Sequence, residues 1–152
     1  MSNLNVFKYY SEIRPIYRLK YLPKKLKFAY QRITKGYCDM DVWNLESFYT
    51  LLFYDSLNEL AETTHSYPYD FQTPELWSQT LKEMAEHFYN ASADHNDIPL
   101  AIAATEAFDK FRNDELNREE WLEKEKELSN FRESEKNKGL DMLKQYFFDL
   151  WD

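Results

Sequence analysis

The sequence predicts an all-α fold: a compact bundle of about five or six helices preceded by an irregular, basic N-terminal arm. Three observations carry this prediction. Apolar residues recur at steps of three and four over several segments, which is the spacing of one helix face. Prolines, a glycine and a hydroxyl cap fall where helices begin and end. No alternating apolar and polar series stands out, so nothing favours β-strands.

The first elements are the arm and a basic helix. Residues 1–22 are assigned to the arm, because Pro15 and Pro23 disfavour helical backbone at the residue before each of them. A basic amphipathic helix over residues 24–35 follows, and Gly36 supplies its C-terminal cap.

Three more helices follow a short linker at residues 39–41. The helix over residues 43–64 is apolar around most of its circumference, so we expect it to be central and nearly enclosed. Thr73 as N-cap and Pro74 in the first turn begin the next helix. An Ala-rich helix begins near Pro99 and can pack closely on its neighbours.

The last third of the chain is strongly charged. Residues 112–139 hold nine acidic and seven basic residues and few apolar ones, which indicates a long exposed helix or a partly mobile segment.

We expect the chain end to pack back onto the core, with Trp43 as a further aromatic anchor. The apolar residues of that end are Leu140, Leu143, Phe147, Leu150 and Trp151. All 152 residues fit one domain.

Charge is divided unevenly along the chain. Residues 1–37 hold nine bases and one acid, whereas residues 38–152 hold ten bases and 26 acids. A basic surface can meet phosphates or an acidic patch and an acidic surface can meet a cationic groove, although the two regions could instead attract each other within the fold. The predicted basic contacts are Arg14, Arg18, Lys20, Lys24, Lys25, Lys27 and Arg32, and the predicted acidic contacts are Glu115, Glu119, Glu120, Glu123 and Glu127.

The tyrosines of the basic arm leave three interpretations open. Rings beside cations bind single-stranded nucleic acid, tyrosine and arginine dominate protein interfaces, and tyrosines also fill cores.

Composition argues against several enzyme classes. Two glycines, Gly36 and Gly139, cannot build a phosphate-binding loop, a dinucleotide fingerprint or a nucleophile elbow. Glu83, Glu86 and His87 offer about two converging ligands, fewer than a metal site needs. We therefore predict no enzymatic activity, no metal and no cofactor, with a metal-dependent enzyme as a lesser alternative.

Targeting signals are also absent from the sequence. The N-terminus has no apolar run typical of a secretory signal, and no segment approaches the roughly 20 apolar residues of a membrane span. The lone Cys38 permits no internal disulfide and is expected to be structural. We expect a cytoplasmic protein without membrane contact.

Several landmarks punctuate the chain. They are Lys35-Gly36-Tyr37, Asp39 and Asp41, Trp43-Asn44-Leu45, Tyr67-Pro68, Gly139-Leu140 and the closing Leu150-Trp151-Asp152. Together they resemble a family of small bacteriophage and prophage proteins, from whose pattern Lys35 and Ser66 depart, standing where arginine and glycine are usual. The resemblance spans residues 21–152 and implies a phage origin, hence the host bacterial cytoplasm, but no particular chemistry.

These observations together predict a non-enzymatic phage accessory protein that binds and inhibits or modulates a host or phage nucleic-acid enzyme. An RNA-guided defence nuclease is one such target, as for an anti-CRISPR-type inhibitor. The acidic surface would then occupy a cationic DNA or PAM-reading groove, and the basic arm would contact guide RNA or an acidic patch. The alternative is a phage protein that binds DNA or RNA through its basic N-terminal region. The aromatic content is also compatible with a homodimer.

Overall fold

The computed structural model describes the backbone of residues 15–151 and the side chains of residues 20–151. These residues form six α-helices and contain no strand, which confirms the predicted all-α class. The helices are α1 (Pro15–Lys35), α2 (Asp39–Trp43), α3 (Leu45–Thr63), α4 (Pro74–Ala91), α5 (Pro99–Arg112) and α6 (Arg118–Tyr146). A short 3-10 helix over Phe147–Asp149 follows α6.

Helix α1 is longer than predicted. Its described part spans residues 15–35 and continues through Pro23. It therefore includes residues 15–22, which the sequence assigns to the arm; residues 1–14 lie outside the described residues. As predicted, Gly36 ends the helix: its φ of +83° is left-handed, and its N–H donates to the Arg32 carbonyl at 3.0 Å.

The predicted linker at residues 39–41 is wrong, because these residues begin helix α2. The carboxylate of Asp41 accepts the backbone N–H of Cys38 at 2.7 Å, which satisfies a donor at the helix start and favours the helical turn.

Helix α4 forms the centre of the bundle. It packs against α3 and α6, and α5 packs against α6. The prediction that α3 is nearly enclosed is wrong, because many of its large side chains are only half-buried and Tyr49 is exposed. The buried side chains of α4 are Trp77, Leu81, Met84, Ala85, Phe88 and Ala91.

Most of the charged segment lies in helix α6. Asn117 caps this helix by accepting the Glu120 N–H at 2.9 Å, and the helix continues without a break for 29 residues. Four of those residues are buried, namely Leu128, Glu135, Gly139 and Leu143. The outer faces of the helix carry its charges.

Two predicted core anchors are exposed. Trp43 is 80% exposed because it lies about 200° around α2 from Asp41, the residue that faces α1. Trp151 is 58% exposed, and Leu140 and Phe147 are also exposed. Among the five apolar residues predicted to pack the chain end onto the core, Leu143 and Leu150 do so.

Helices α4 and α6 meet at two special positions. At Gly139, an added Cβ would lie 3.3 Å from the Phe88 ring, so the missing side chain permits close approach. Glu135 is 5% exposed, with one oxygen 2.8 Å from His87 Nδ1 and the other accepting from Lys138 Nζ at 2.6 Å. Burial by itself raises the pKa of Glu135, but the bonds from Lys138 and His87 outweigh it and hold that pKa below its usual range.

Glu135→Gln should lower the free energy of unfolding by about 1–3 kcal/mol at neutral pH, because it removes a charged acceptor from two donors. Folding lowers the pKa of Glu135, so its stabilisation is complete above the ordinary carboxyl pKa and is lost as pH falls through the folded-state pKa. Urea unfolding from about pH 7 to pH 3 should show the variant approaching the wild type in acid. Exposed Glu123→Gln is the control, and a gap that stays constant with pH would contradict the assignment.

Candidate functional site

A buried ion pair joins α1 to α2. Arg32 Nε donates to Asp41 Oδ2 at 2.8 Å, and Arg32 Nη2 donates to the other carboxylate oxygen. The Asp41 side chain is fully buried and that of Arg32 is 16% exposed. A two-point pair of this kind fixes the relative orientation of both groups, so it sets how α1 lies against α2.

A second, exposed set of bonds lies beside this pair. Asp39 accepts hydrogen bonds from Lys27 Nζ at 2.6 Å and from Gln31 Nε2 at 2.8 Å. The bond from Lys27, then that from Gln31, holds the pKa of Asp39 below its usual range. Gln31 also accepts the Asp39 N–H at 3.1 Å, so side chain and backbone are both engaged.

Cys38 completes the contact between the two helices. It is 1% exposed and forms a small cluster with Phe28. Burial raises the pKa of the Cys38 thiol, which keeps it protonated. This is the environment of a structural cysteine.

The apolar face of α1 points away from these contacts. We call Leu22, Leu26, Tyr30 and Ile33 the outer stripe; their spacing places them on one face, and they are 44%, 55%, 68% and 84% exposed. Leu26 lies about 200° around the helix from buried Phe28. Among the described residues, α1 packs against α2, and the Arg32 guanidinium also lies 5.7 Å from the Phe48 ring centroid of α3.

Basic residues border the outer stripe on both sides. At about 100° per residue, Lys20 and Lys27 flank one edge and Lys25 and Arg32 the other. Lys24 lies on the opposite face, with its Nζ 5.7 Å from the Tyr21 ring centroid.

The predicted basic contacts have different surroundings. Lys20 and Lys24 are exposed and Lys25 is half-buried. Lys27 and Arg32 are bound to Asp39 and Asp41, so the two charge regions of the sequence attract each other here within the fold. Arg14 and the side chain of Arg18 lie outside the described residues.

The predicted acidic contacts lie at the start of α6 and just before it. All five are exposed, namely Glu115, Glu119, Glu120, Glu123 and Glu127. Two have local partners: Glu120 accepts the Asn117 N–H at 3.2 Å, and Glu127 lies 2.9 Å from Lys124 Nζ. Arg118 and Lys126 are interspersed, which gives the surface mixed sign.

His87 has a different partner from the one its helix offers. Its ring nitrogen pairs with Glu135 of α6 rather than with Glu83. The described part of the chain contains no group of three metal-ligating side chains close enough to hold an ion. Sequence reasoning missed Glu135, although its spacing from Leu128 and Leu143 places it on the buried face of α6.

Comparisons with known proteins assign neither a family nor a function to the chain. No family model, curated protein or solved structure matches the chain. Within the residues that the structure describes, no helix combines the length and apolar character needed to cross a bilayer.

Arg32→Met should destabilise the protein by about 3–5 kcal/mol, because it leaves a buried carboxylate without its cation. Combining it with Asp41→Leu should cost less than the sum of the two single changes, since the double variant leaves no unpaired charge. Urea unfolding of the four proteins measures this coupling. Lys27→Met is the matched control, which breaks an exposed, solvent-screened pair and should cost much less than Arg32→Met. Equal effects of Arg32→Met and Lys27→Met would contradict the assignment.

Proposed function

We propose that this chain is a non-enzymatic binding protein that inhibits or modulates a nucleic-acid enzyme, with the outer stripe of α1 as its main contact. The observation that carries the proposal is the position of that stripe: four large apolar side chains, 44–84% exposed, on the helix face opposite the one that holds α1 to α2. Contiguous exposed apolar surface of this kind is typical of binding sites.

The chemistry of the stripe defines its partner. Anchors at Leu22, Leu26, Tyr30 and Ile33 have the spacing of a helix that lies in an apolar groove. Lys20, an exposed base at one edge of the stripe, favours a carboxylate on that rim of the groove. The partner is thus a protein with an apolar groove and an acidic rim, and attraction between the charges would increase the association rate.

Two observations favour a protein over nucleic acid. Phosphate groups make no favourable contact with Leu26 or Ile33, which lie at the centre of the exposed apolar surface. Lys27 and Arg32 are already bound to carboxylates, which reduces the charge available to a phosphate backbone. Nucleic-acid binding through the basic N-terminal region remains the second candidate, because no acidic residue occurs in α1.

The resemblance to phage proteins supports a host enzyme as target, met in the bacterial cytoplasm. An RNA-guided defence nuclease is one such enzyme, with anti-CRISPR-type inhibition as the outcome. If the target is such a nuclease, the acidic residues at the start of α6 would make a second contact, in a cationic groove of the enzyme. We assign them the lesser role because Arg118, Lys124 and Lys126 offset their charge.

The double variant Leu26→Gln with Ile33→Gln tests the outer stripe. Glutamine keeps helix propensity and both sites are exposed, so the fold should be unchanged. We expect at least about a tenfold loss of affinity for a nucleic-acid enzyme that the wild-type chain retains from nuclease-treated bacterial lysate, because two apolar anchors are lost. Ile102→Gln, an equally conservative change on α5, is the matched control and should bind normally.

Two results would overturn this proposal. Equal retention of the enzyme by the stripe variant would remove the outer stripe as contact. Capture that disappears when the lysate is treated with nuclease, together with a steep loss of binding with salt, would favour the nucleic-acid alternative.

A further inference from the structure

Exposed aromatic rings form a second apolar surface where α3 ends, α4 begins and α6 ends. Ser78 of α4 donates to the Ala61 carbonyl of α3 at 2.7 Å. On the other side of α4, the ring centroids of Trp77 and Tyr146 are 5.4 Å apart. These contacts bring the three helix ends together. We call the surface the aromatic end; its rings, each more than half exposed, are Tyr69, Phe147, Phe148 and Trp151.

The aromatic end lies on a packed base. The Phe71 ring centroid is 4.9 Å from that of Trp77 and 5.7 Å from that of Tyr146, so the connection before α4 is held against the end of α6. Phe147 and Phe148 meet edge to face, with centroids 5.5 Å apart. Large rings that are exposed on a packed base are typical of a binding surface.

Carboxylates surround the aromatic end. Residues 59–76 and 141–151 contain six acidic residues and a single base, Lys144. The acidic residues are Glu59, Glu62, Asp70, Glu75, Asp141 and Asp149. None of the six forms an ion pair with another described residue. The aromatic end is therefore an apolar surface in a negative field, which suits a partner that is apolar and basic.

Helix α1 of the same protein has this complementary chemistry. It contains no acidic residue, and it presents the apolar outer stripe with exposed Lys20 at one edge. Within the described part of one chain, α1 packs against α2 and reaches α3 at Phe48, near the opposite end of that helix from the aromatic end. The outer stripe and the aromatic end are thus both exposed in the monomer.

Charge determines which contact two copies of the chain can make. Two outer stripes facing each other would bring together two helices that have bases and no acid. Two aromatic ends facing each other would bring two acidic surfaces together. Only an outer stripe against an aromatic end joins apolar surfaces whose surrounding charges have opposite sign.

We infer that the outer stripe of one copy docks on the aromatic end of a second copy. Each copy donates one stripe and receives one, so a twofold dimer contains this contact twice and leaves neither surface open. The inference rests on the proposed function in one respect: the dimer covers the stripe that binds the target enzyme. Self-association therefore competes with the target, and the monomer is the form that binds it.

Sedimentation velocity of the purified chain across the micromolar concentration range measures this association. The wild type should dimerise as concentration rises, and added salt should weaken the dimer because the attracting charges are screened. Phe148→Gln, at a site 89% exposed, should leave the fold intact and weaken the dimer at least about tenfold. The double variant Leu26→Gln with Ile33→Gln should do the same. Ile102→Gln is the matched control and should dimerise normally.

Mixing the two defective proteins tests the pairing itself. A dimer of Phe148→Gln with the Leu26→Gln, Ile33→Gln chain contains one intact stripe on one intact aromatic end, so the mixture should associate more tightly than either protein alone. A wild type that stays monomeric, a dimer that Phe148→Gln does not weaken, or a mixture no tighter than its components would each overturn the inference.

Enzyme capture separates this inference from the proposed function. Phe148→Gln keeps the outer stripe and frees it from the dimer, so it should retain the target enzyme at least as well as the wild type. A monomeric wild type whose capture still depends on the stripe would overturn the dimer alone. A dimer that behaves as described, with capture that does not depend on the stripe, would support the dimer and overturn the proposed function.

Discussion

The ion pair between Arg32 and Asp41 determines which way helix α1 faces. Asp41 also accepts the Cys38 N–H, so one buried carboxylate both starts α2 and holds α1 against it. The contact uses the side of α1 that carries Phe28, Gln31 and Arg32, and the outer stripe on the opposite side is therefore left in solvent. Burying apolar surface is favourable by about 25 cal/mol per Å², so a helix free to rotate would turn its outer stripe inward. The paired charges prevent this rotation.

Among the described residues, α1 reaches the rest of the bundle through α2 and through the contact of Arg32 with the Phe48 ring of α3. The buried residues of α4 fill the centre, and α6 approaches closely at Gly139, where any larger side chain would meet Phe88. Glu135 reinforces this contact through His87 and Lys138.

Local signals made part of this structure predictable. Helix ends could be predicted from Gly36, Thr73 and Pro74, because these residue types favour helix termini. The structure has a helix end at each of them. The apolar stripe of α4 was equally clear, because its period matches one helix face. The uneven distribution of charge along the chain is also evident from the sequence. Only the fold shows that Lys27 pairs with Asp39 and that Arg32 pairs with Asp41.

What the sequence did not predict depends on tertiary placement. A tryptophan such as Trp43 looks like a core anchor, yet which side of a five-residue helix meets its neighbour is decided by the ion pair. The periodicity of residues 24–35 predicts an amphipathic helix. It does not show whether the apolar face of that helix is buried in the protein or exposed to solvent.

Helix α1 is held against α2 by the side that carries Phe28 and Arg32, with the outer stripe in solvent. Methyl-labelled protein titrated with a soluble paramagnetic agent tests it most directly, because relaxation enhancement follows the exposure of each methyl group. We expect strong enhancement for the methyls of Leu22, Leu26 and Ile33 and almost none for Leu81, which is fully buried in α4. Protection of the α1 methyls to the level of Leu81 in dilute monomeric protein would contradict it.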